Sequence, residues 1–255
     1  MKQPNIHLSR ENIGRYVLLP GDPGRCEKIA LYFENPCFLS KNREYVSYSG
    51  TLLGEKVTVL STGIGCPSTA IAVEELIGIG ADTLIRVGTS GGIQPNCKTG
   101  DVAIVNGAIR DEGTTSSYLP IEFPALADID VVLALKEGAR RKGITSHIGI
   151  THSKDSYYGE VEPERMPIAG DLLARWKAWS DGGAICSEME ASTIFIICSI
   201  HKKRAGGVML IAGNESTNAI SEEEYQKVKM LFDVDRAIQV AIEGVKVLIE
   251  NDHRS

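Results

Sequence analysis

The sequence predicts an α/β fold, with a largely parallel sheet sandwiched by helices. Two observations support this prediction. Short apolar runs that end at glycine or proline alternate with longer amphipathic segments, which is the order that β–α–β units produce. In addition, the 255 residues are 43% hydrophobic and 24% charged, as in a globular domain with a sizeable core. Because no linker, repeat or low-complexity segment interrupts the pattern, we predict one domain over residues 1–255.

Charge and cysteine content narrow the class of protein. The formal net charge is −6 and basic residues form no block, so nucleic acid is not expected as a partner. An anionic ligand must then be bound by locally placed arginines. The six cysteines form no CxxC pair and no zinc-ligand spacing. With no signal peptide and no apolar run of about 18 residues, the sequence predicts a cytoplasmic protein with reduced thiols.

The first part of the chain predicts an arm followed by alternating strands and helices. Residues 1–15 are largely polar and predict an extended arm. Pro20 ends the first strand, and Pro67 stands in the first turn of a helix, where proline is well tolerated. The predicted elements are a strand at 16–19, a helix from the 21–25 turn towards residue 33, strands at 44–51 and 56–62, a helix at 67–77 and a strand at 83–87.

The second part continues this alternation, apart from two segments. Residues 110–127 contain turn formers without a clear period and predict a long loop, and residues 153–166 are polar and aromatic. The predicted strands are 101–105, 147–151, 183–186 and 208–212, and the predicted helices are 130–142, 172–179, a helix from the 187–190 segment to residue 201, and 222–251.

The strand at 83–87 carries one charged residue, Arg86, among apolar neighbours. A buried guanidinium is costly unless it is paired or meets an anionic ligand. Residues 88–92 predict a loop whose glycines expose backbone N–H groups and whose Thr89 and Ser90 offer hydroxyls. Together with an arginine, these groups form a phosphate-binding set. The alternative is a structural arginine–carboxylate pair beside an ordinary turn.

A second anion-binding pattern follows the strand at 16–19. The turn at 21–25 leads from that strand into a helix, and the first turn of a helix offers free N–H groups to anions. The same residues also make a common turn, and the GxGxxG dinucleotide motif is absent. Arg43 is a candidate second cation, although a surface arginine that caps a strand is the simpler interpretation.

The segment 187–190, Ser-Glu-Met-Glu, has two interpretations. It predicts a capping box, with Ser187 as the N-cap and Glu190 three residues later, before an apolar helix. Alternatively, the carboxylate of Glu190 could accept two hydrogen bonds from the vicinal hydroxyls of a sugar. The residues alone favour the capping box.

Taken together, these motifs resemble the nucleoside phosphorylase family, and the hexameric uridine phosphorylases most of all. The resemblance covers nearly the whole chain in the same order, with motifs at 7–8, 20–25, 42–44, 61–65, 67–69, 86–91 and 187–191. It implies a three-layer α/β/α sandwich around a mixed sheet that partly closes into a barrel. It also implies reversible phosphorolysis of a pyrimidine nucleoside, above all uridine, in pyrimidine salvage. Inorganic phosphate is then the co-substrate, and no cofactor is required.

The resemblance also implies roles for individual residues. Phosphate is expected at Gly21, Arg25, Arg86, Gly88 and Thr89, with Arg43 supplied by the neighbouring subunit. Ribose is expected at Glu188, Met189 and Glu190, with His7 reaching in from the neighbour. The carboxylate of Glu190 places negative charge where an oxocarbenium-like transition state develops positive charge. The implied assembly is a homohexamer, a trimer of dimers, with sites shared across each dimer.

The segment 155–167 matches the part of the family that reads uracil. Tyr157 is expected to stack beside the base, and Arg165 to stabilise the departing uracil anion, so that Arg86, Glu190 and Arg165 are the expected catalytic residues. Glu160 departs from the family, which usually carries glutamine there. An amide both donates and accepts, whereas an ionised carboxylate only accepts. It also repels the leaving anion unless Arg165 pairs with it or it is protonated.

Two alternatives to a uridine enzyme stay open. Purine-cleaving relatives carry an aspartate near the position of Asn214, and an asparagine cannot act as the general acid that this aspartate provides. Glu215 stands where family members with uridine activity have an arginine. The chain could therefore be a purine nucleoside phosphorylase of the same family, or a nucleoside-binding homologue impaired in turnover by Glu160. The resemblance further suggests potassium at Glu44, Ile64 and Ser68, although Glu44 could instead pair with Arg43.

Overall fold

The computed structural model describes residues 2–214 and 234–254, which contain ten strands and seven α-helices. The strands are β1 (Tyr16–Leu19), β2 (Glu34–Asn42), β3 (Tyr45–Leu52), β4 (Glu55–Leu60), β5 (Thr83–Gly92), β6 (Val102–Asp111), β7 (Ala125–Leu126), β8 (Ser146–Lys154), β9 (Cys186–Glu188) and β10 (Arg204–Asn214). The helices are α1 (Gly24–Ala30), α2 (Cys66–Gly78), α3 (Ile129–Lys142), α4 (Tyr157–Val161), α5 (Ala169–Asp181), α6 (Ala191–Ile200) and α7 (Asp235–Asp252). Short 3₁₀ turns lie at Thr115–Ser117 and Pro163–Arg165.

Five of the strands close into a barrel-like ring. β5 pairs with β10 along its length and with β9 at its last two residues, and the order β10–β6–β8–β9 completes the ring. From the first half of β5, the sheet extends outwards through β1, β4, β3 and β2. This mixed, partly closed sheet confirms the fold class that the family resemblance implied. The largely parallel sheet expected from the alternation alone is wrong, because the short connections between β2, β3 and β4 form antiparallel hairpins.

Alternate residues of the central strands contribute to two apolar cores, one on each face of the sheet. On β5, Ile85 and Val87 belong to the core that includes α3 and α7, whereas Leu84 belongs to the core that includes α2 and α6. α3 and α7 approach closely at two glycines, since a Cβ on Gly138 would lie 2.8 Å from the backbone nitrogen of Gly244. The helices thus form layers on both faces of the sheet. Within the described residues, no helix is long and apolar enough to cross a membrane.

The first fifteen residues fold back onto the protein, so the predicted extended arm is wrong. Ile6 and Leu8 are buried. The carboxylate of Glu75 on α2 accepts hydrogen bonds from the backbone N–H groups of Asn5 and Ile6. The buried side chains of Ile6 and Leu8 and the carboxylate of Glu75 therefore hold this segment against the protein, although its overall composition is polar.

Several strands are longer than the sequence predicts. β5 continues to Gly92, so residues 88–92 are strand rather than the expected loop. β10 and β9 provide backbone partners there, which overrides the low strand propensity of glycine. β2 was not predicted, because it lies at the edge of the sheet and its mostly exposed residues show no alternation. Of the helix predicted at 222–251, residues 222–233 lie outside the described part of the chain.

The segment after β6 is ordered around Arg110, a buried arginine. Its guanidinium donates to the hydroxyl of Thr115 at 3.0 Å. It also donates to four backbone carbonyl oxygens, at distances between 2.6 and 3.0 Å, those of Thr115, Leu119, Pro120 and Phe123. The long loop expected at 110–127 therefore has a fixed centre and contains both a 3₁₀ turn and β7.

The substitution Arg110→Met is expected to lower the free energy of unfolding by about 3 kcal/mol, because several partly buried carbonyls lose a charged donor. Urea denaturation followed by circular dichroism measures this loss. The matched control is Arg140→Met on α3, whose ion pair with Glu137 is exposed and is expected to matter little. Equal shifts of the two midpoints would contradict the central role of Arg110.

Candidate active site

Residues from three other parts of the chain meet around Arg86 on β5 and its partner Glu190. Gly21 follows β1, and Gly65 directly precedes α2. Glu188 ends β9, and Glu190 directly precedes α6. The sequence predicted this convergence through the resemblance, and the chain brings these residues together within one fold.

Arg86 is held between two carboxylates. Its side chain is 6% exposed, and Nε donates to Oε2 of Glu188 at 2.7 Å. Nη2 forms an ion pair with Oε2 of Glu190. Burial by itself lowers the pKa of Arg86, but Glu190 and Glu188 outweigh this effect, and the net pKa is raised. Arg86 therefore carries its charge, and the structural arginine–carboxylate pair named above as an alternative does exist.

The ion pairs do not use the whole guanidinium. Among the described residues, Nη1 of Arg86 has no hydrogen-bond partner although it is buried. It faces the turn after β1, since a Cβ on Gly21 would lie 3.9 Å from it. Gly88 is equally constrained, because a Cβ there would lie 3.0 Å from Cζ of Arg86. A buried N–H group without a partner costs free energy, so this atom is available for a ligand.

Arg25, in the first turn of α1, brings a second positive charge towards Arg86. Its Nη1 donates to the carbonyl oxygen of Val87 at 3.3 Å, and it forms no ion pair within the described residues. Burial lowers the pKa of Arg25, and the positive charge of Arg86 lowers it further. Two neighbouring guanidinium groups, one of them without a carboxylate partner, fit an anion such as phosphate.

Glu190 is fixed on the other side of Arg86. Its Oε1 accepts a hydrogen bond from the backbone N–H of Gly65 at 2.7 Å, and its side chain is 4% exposed. Burial raises the pKa of Glu190 against the opposing effect of Arg86. The carboxylate of Glu190 thus lies next to the guanidinium of Arg86, whose Nη1 is available for a ligand. A site that binds a sugar beside a phosphate needs such a pair of groups side by side.

Glu188, rather than Ser187, caps α6. Oε2 of Glu188 accepts hydrogen bonds from the backbone N–H groups of Glu190 at 2.8 Å and Ala191 at 2.9 Å. Its Oε1 accepts one from the hydroxyl of Ser153. The capping box favoured by the sequence is therefore wrong, because Ser187 is part of β9 and its side chain points elsewhere.

The hydroxyl of Ser187 lies in a second charged cluster with Glu160. Oε1 of Glu160 lies 2.8 Å from Nζ of Lys154. Its Oε2 lies 3.2 Å from Nδ1 of His152 and accepts a hydrogen bond from Ser187 Oγ at 2.5 Å. On the far side of His152, Nε2 lies 3.0 Å from a carboxylate oxygen of Asp111. Since carboxylates only accept, His152 is expected to carry protons on both nitrogens.

This cluster favours the ionised form of Glu160. Burial raises the pKa of Glu160, but His152 and Lys154 outweigh it, and the net pKa lies below its ordinary value. The sequence offered two ways to offset this carboxylate, protonation or pairing with Arg165. The lowered pKa disfavours protonation, and Arg165 pairs with Glu162 instead. The neutralising cation is Lys154, which stands in a polar stretch where the sequence pattern gives no signal for it.

The remaining predicted base contacts lie at the surface. Tyr157, on α4, is 55% exposed. The side chain of Arg165 is 66% exposed, and its guanidinium lies 6.0 Å from the ring centre of Tyr158. A cleft of about 470 Å³ opens beside them, lined by Glu160, His152, Lys154, Leu172, Trp176 and Trp179 among others. The segment 155–166 therefore forms the outer wall of this end of the molecule.

The other predicted site residues occupy more varied positions. Met189 and Thr89 are half-buried, and the carbonyl oxygen of Met189 accepts a hydrogen bond from the thiol of Cys66. His7 is half-buried and has a positive φ of 57° in the N-terminal turn. Arg43 is exposed in the turn between β2 and β3, with a φ of 52°. Within one chain, neither His7 nor Arg43 makes an ion pair in the described part of the structure.

The candidate potassium residues lie near the start of α2. The hydroxyl of Ser68 donates to Oε1 of Glu44 at 2.7 Å, and this bond lowers the pKa of Glu44. Ile64 is 79% exposed in the adjoining loop. Residues 2–214 and 234–254 hold no group of three or more His, Cys, Asp or Glu side chains arranged for a metal ion.

Comparison with known proteins agrees with this geometry. The family model described as the phosphorylase superfamily matches residues 15–244. The chain belongs to the phosphorylase superfamily. The family resemblance read from the motifs is thereby confirmed, and the Arg86–Glu190 centre lies within the matched range.

Individual relatives of this family match nearly the full chain. A uridine phosphorylase of Treponema pallidum (strain Nichols) is 47% identical over 248 residues, covering 97% of this chain and 95% of that protein. A uridine phosphorylase of Thermococcus kodakarensis is 41% identical over 255 residues, covering 98% and 88%. A guanosine phosphorylase of Halorubrum lacusprofundi is 34% identical over 252 residues, covering 97% and 99%.

Proposed function

We propose that this protein catalyses the reversible phosphorolysis of uridine to uracil and ribose 1-phosphate. The observation that carries the proposal is the buried Nη1 of Arg86, which has no hydrogen-bond partner in residues 2–214 and 234–254. It faces the turn at Gly21 and belongs to the same guanidinium that Glu190 contacts. The choice of uridine rests on the relatives at 47% and 41% identity, which are uridine phosphorylases.

Phosphate is proposed to bind between the two cations. Arg86 and Arg25 supply positive charge, and the backbone around Gly21 supplies N–H groups without a side chain in the way. Gly88 and Thr89 continue the same wall along β5. Arg43 of a neighbouring subunit completes this set in our proposal. In this arrangement the phosphate is aligned in advance with the reacting carbon of the sugar.

Ribose is proposed to lie against Glu190 and Met189. The carboxylate of Glu190 accepts hydrogen bonds from the 2′- and 3′-hydroxyls, while Glu188 fixes Arg86 and caps α6. His7 from a neighbouring subunit is proposed to bind the 5′-hydroxyl. Negative charge at Glu190 also stabilises the positive charge that the sugar develops in an oxocarbenium-like transition state.

In the forward reaction a phosphate oxygen forms a bond to C1′ as the bond from C1′ to N1 of the base breaks. The electron pair of that bond leaves with uracil, which departs as an anion and takes up a proton. Arg165 is proposed to donate to a uracil carbonyl and stabilise this anion, and Tyr157 to stack beside the ring. No residue becomes covalently attached to substrate, so binding and electrostatics supply the catalysis.

The decisive assay is phosphate-dependent release of uracil from uridine, with guanosine, inosine and adenosine assayed in parallel. We expect uracil release to exceed purine release by about a hundredfold or more, as a pocket built for one base rejects another. Release of a purine base without release of uracil would support the purine alternative. The guanosine phosphorylase that is 34% identical to this chain is the reason to test it. Tight binding of uridine without cleavage would support a non-catalytic homologue.

We also propose a potassium site at Glu44, Ile64 and Ser68. The carboxylate of Glu44 and the hydroxyl of Ser68 lie together, and oxygen donors of this kind suit an alkali cation. A bound cation would neutralise Glu44 and stiffen the loop before α2. The melting temperature is expected to be higher in potassium chloride than in choline chloride at equal ionic strength. Glu44→Gln is expected to abolish that difference, and a difference that persists in this variant would contradict the site.

The proposed assembly is a homohexamer, built as a trimer of dimers, in a reducing cytoplasm, acting in pyrimidine salvage. Two observations support sharing of sites between subunits. Arg43 is exposed, and Ile64, in the loop that follows β4, is an exposed apolar side chain. All six cysteines are free thiols, as a reducing compartment favours. Light scattering tests the assembly, and a monomer that retains full activity would contradict it.

A further inference from the structure

Both oxygens of Glu160 are engaged by the protein itself. Its Oε1 is used by Lys154, and its Oε2 is used by both His152 and Ser187. The side chain is 8% exposed. A residue that reads a base must keep at least one donor or acceptor directed at the ligand. Glu160 instead directs both oxygens at charged and polar groups of its own protein.

The direction of this cluster supports the same conclusion. Successive side chains of a strand point to opposite faces. On β8, Ser153 contacts Glu188, which belongs to the Arg86 centre, so His152 and Lys154 on either side of it point to the other face. On β9, Glu188 and Ser187 divide in the same way. Glu160 therefore packs against the face of β8 and β9 that points away from Arg86.

The contacts of Glu160 tie α4 to the sheet. Three of the five residues of α4, namely Tyr157, Tyr158 and Val161, are exposed. Glu160 is the α4 residue that makes ion pairs, and both of them reach β8. The same short segment carries Tyr157 and leads directly to Arg165. Its attachment to the sheet therefore determines where both of these side chains stand.

We propose that Glu160 is a positioning residue that anchors α4 to β8 and β9, and thereby holds Tyr157 and Arg165 in place, without contacting the base. This inference rests on the proposed function for the roles of Tyr157 and Arg165. It also removes the conflict between a carboxylate and a departing uracil anion, because Lys154 and His152 neutralise Glu160. On the outer side, Asp111 is in turn paired with Arg175, so the cluster carries no unbalanced negative charge.

The test compares Glu160→Gln with Lys154→Met, which removes the partner instead. Trypsin cleavage after Arg165, followed by fragment mass, measures how firmly the segment is held and requires no substrate. Both variants are expected to speed this cleavage about tenfold, and the double variant no further, since each breaks the same pair. The matched control is Glu164→Gln in the same segment, since Glu164 is exposed and forms no ion pair within the described residues. It is expected to behave as wild type.

Kinetics separates anchoring from base reading. If Glu160 anchors α4, Glu160→Gln and Lys154→Met both raise KM for uridine about fivefold or more, with a smaller change in kcat. If Glu160 reads the base, Glu160→Gln improves uridine cleavage, because the amide both donates and accepts, and the trypsin rate does not change. That pair of results would overturn the proposal.

A milder variant serves as a control for misfolding. Ser187→Ala removes one hydrogen bond to Glu160 and leaves both ion pairs. The trypsin rate is therefore expected to increase about two- to threefold, which corresponds to the loss of one net hydrogen bond. An unchanged trypsin rate in all three variants would overturn the anchoring role. Absence of uracil release from wild type would overturn the proposed function instead, and the digestion would still decide whether Glu160 anchors α4.

Discussion

The substitution Arg86→Gln is expected to reduce kcat/KM for phosphate-dependent uridine cleavage by about a thousandfold. The guanidinium is buried, balances Glu188 and Glu190, and has a third nitrogen without a partner among the described residues. Glutamine keeps one N–H donor group but no charge, so phosphate loses its central cation. Initial rates of uracil release at varied phosphate and uridine measure the effect, and KM for phosphate is expected to rise more than KM for uridine.

Arg25→Gln separates phosphate binding from folding. Arg86→Gln leaves two buried carboxylates without their cation, which destabilises the fold as well as the site. Arg25 has no ion pair in the described residues, so its loss leaves no buried carboxylate unpaired. KM for phosphate is expected to rise about thirtyfold, which corresponds to the loss of one charge-assisted hydrogen bond. Arg15→Gln, at an exposed arginine paired with Asp82, serves as the control. A wild-type phosphate KM in Arg25→Gln would contradict the phosphate assignment.

Glu190→Gln is expected to lower kcat for uridine by about a hundredfold while the protein stays folded. An amide of the same size can keep the hydrogen bond from Gly65, but its NH₂ group then faces Nη2 of Arg86, donor against donor. The negative charge beside the sugar is lost as well. Single-turnover rates of uracil release measure the chemical step, and circular dichroism checks the fold.

The comparison of uridine with 2′-deoxyuridine sharpens this test. If the carboxylate of Glu190 binds the 2′- and 3′-hydroxyls, the wild type cleaves uridine with a higher kcat/KM than 2′-deoxyuridine. Glu190→Gln is expected to reduce this preference, measured as the ratio of the two kcat/KM values, because 2′-deoxyuridine already lacks the hydrogen bond from the 2′-hydroxyl. Glu188→Gln changes the neighbouring carboxylate, which contacts Arg86 rather than the proposed sugar. It is expected to lower activity without narrowing the preference. An unchanged preference in Glu190→Gln would argue against a sugar contact.

Arg86 could be found from the sequence because a single charge in an apolar strand is a local anomaly. Its partners could not be found in this way. Glu188 and Glu190 are distant in sequence, and Ser187 to Glu190 fits a capping box as well as a ligand site. The resemblance to a family supplied the arrangement that local patterns left open. It did so because it compares whole motifs in order rather than single residues.

Glu160 illustrates what neither route could supply. The sequence marks it as a departure from the family but does not say where its charge is balanced. Lys154 and His152 belong to β8, which the sequence pattern predicts only as far as residue 151, three residues before its end at Lys154. Because strand alternation decides which face each side chain reaches, this error in the strand end concealed both partners. The glycine-rich end of β5 was misassigned for a related reason, since its hydrogen-bond partners come from distant strands.

The alternation along β8 and β9 has a consequence for redesign. Ser153 and Glu188 belong to the Arg86 centre on one face, whereas His152, Lys154 and Ser187 contact Glu160 of α4 on the other. The two networks share a backbone but no side chain. The outer wall can therefore be exchanged as a module, by grafting residues 155–166 of a relative with another base preference. Such a chimaera needs to keep the acidic residue that pairs with Lys154. The Arg86–Glu190 centre lies outside the grafted segment and is inherited unchanged, whereas the proposed base contacts Tyr157 and Arg165 are exchanged with the segment.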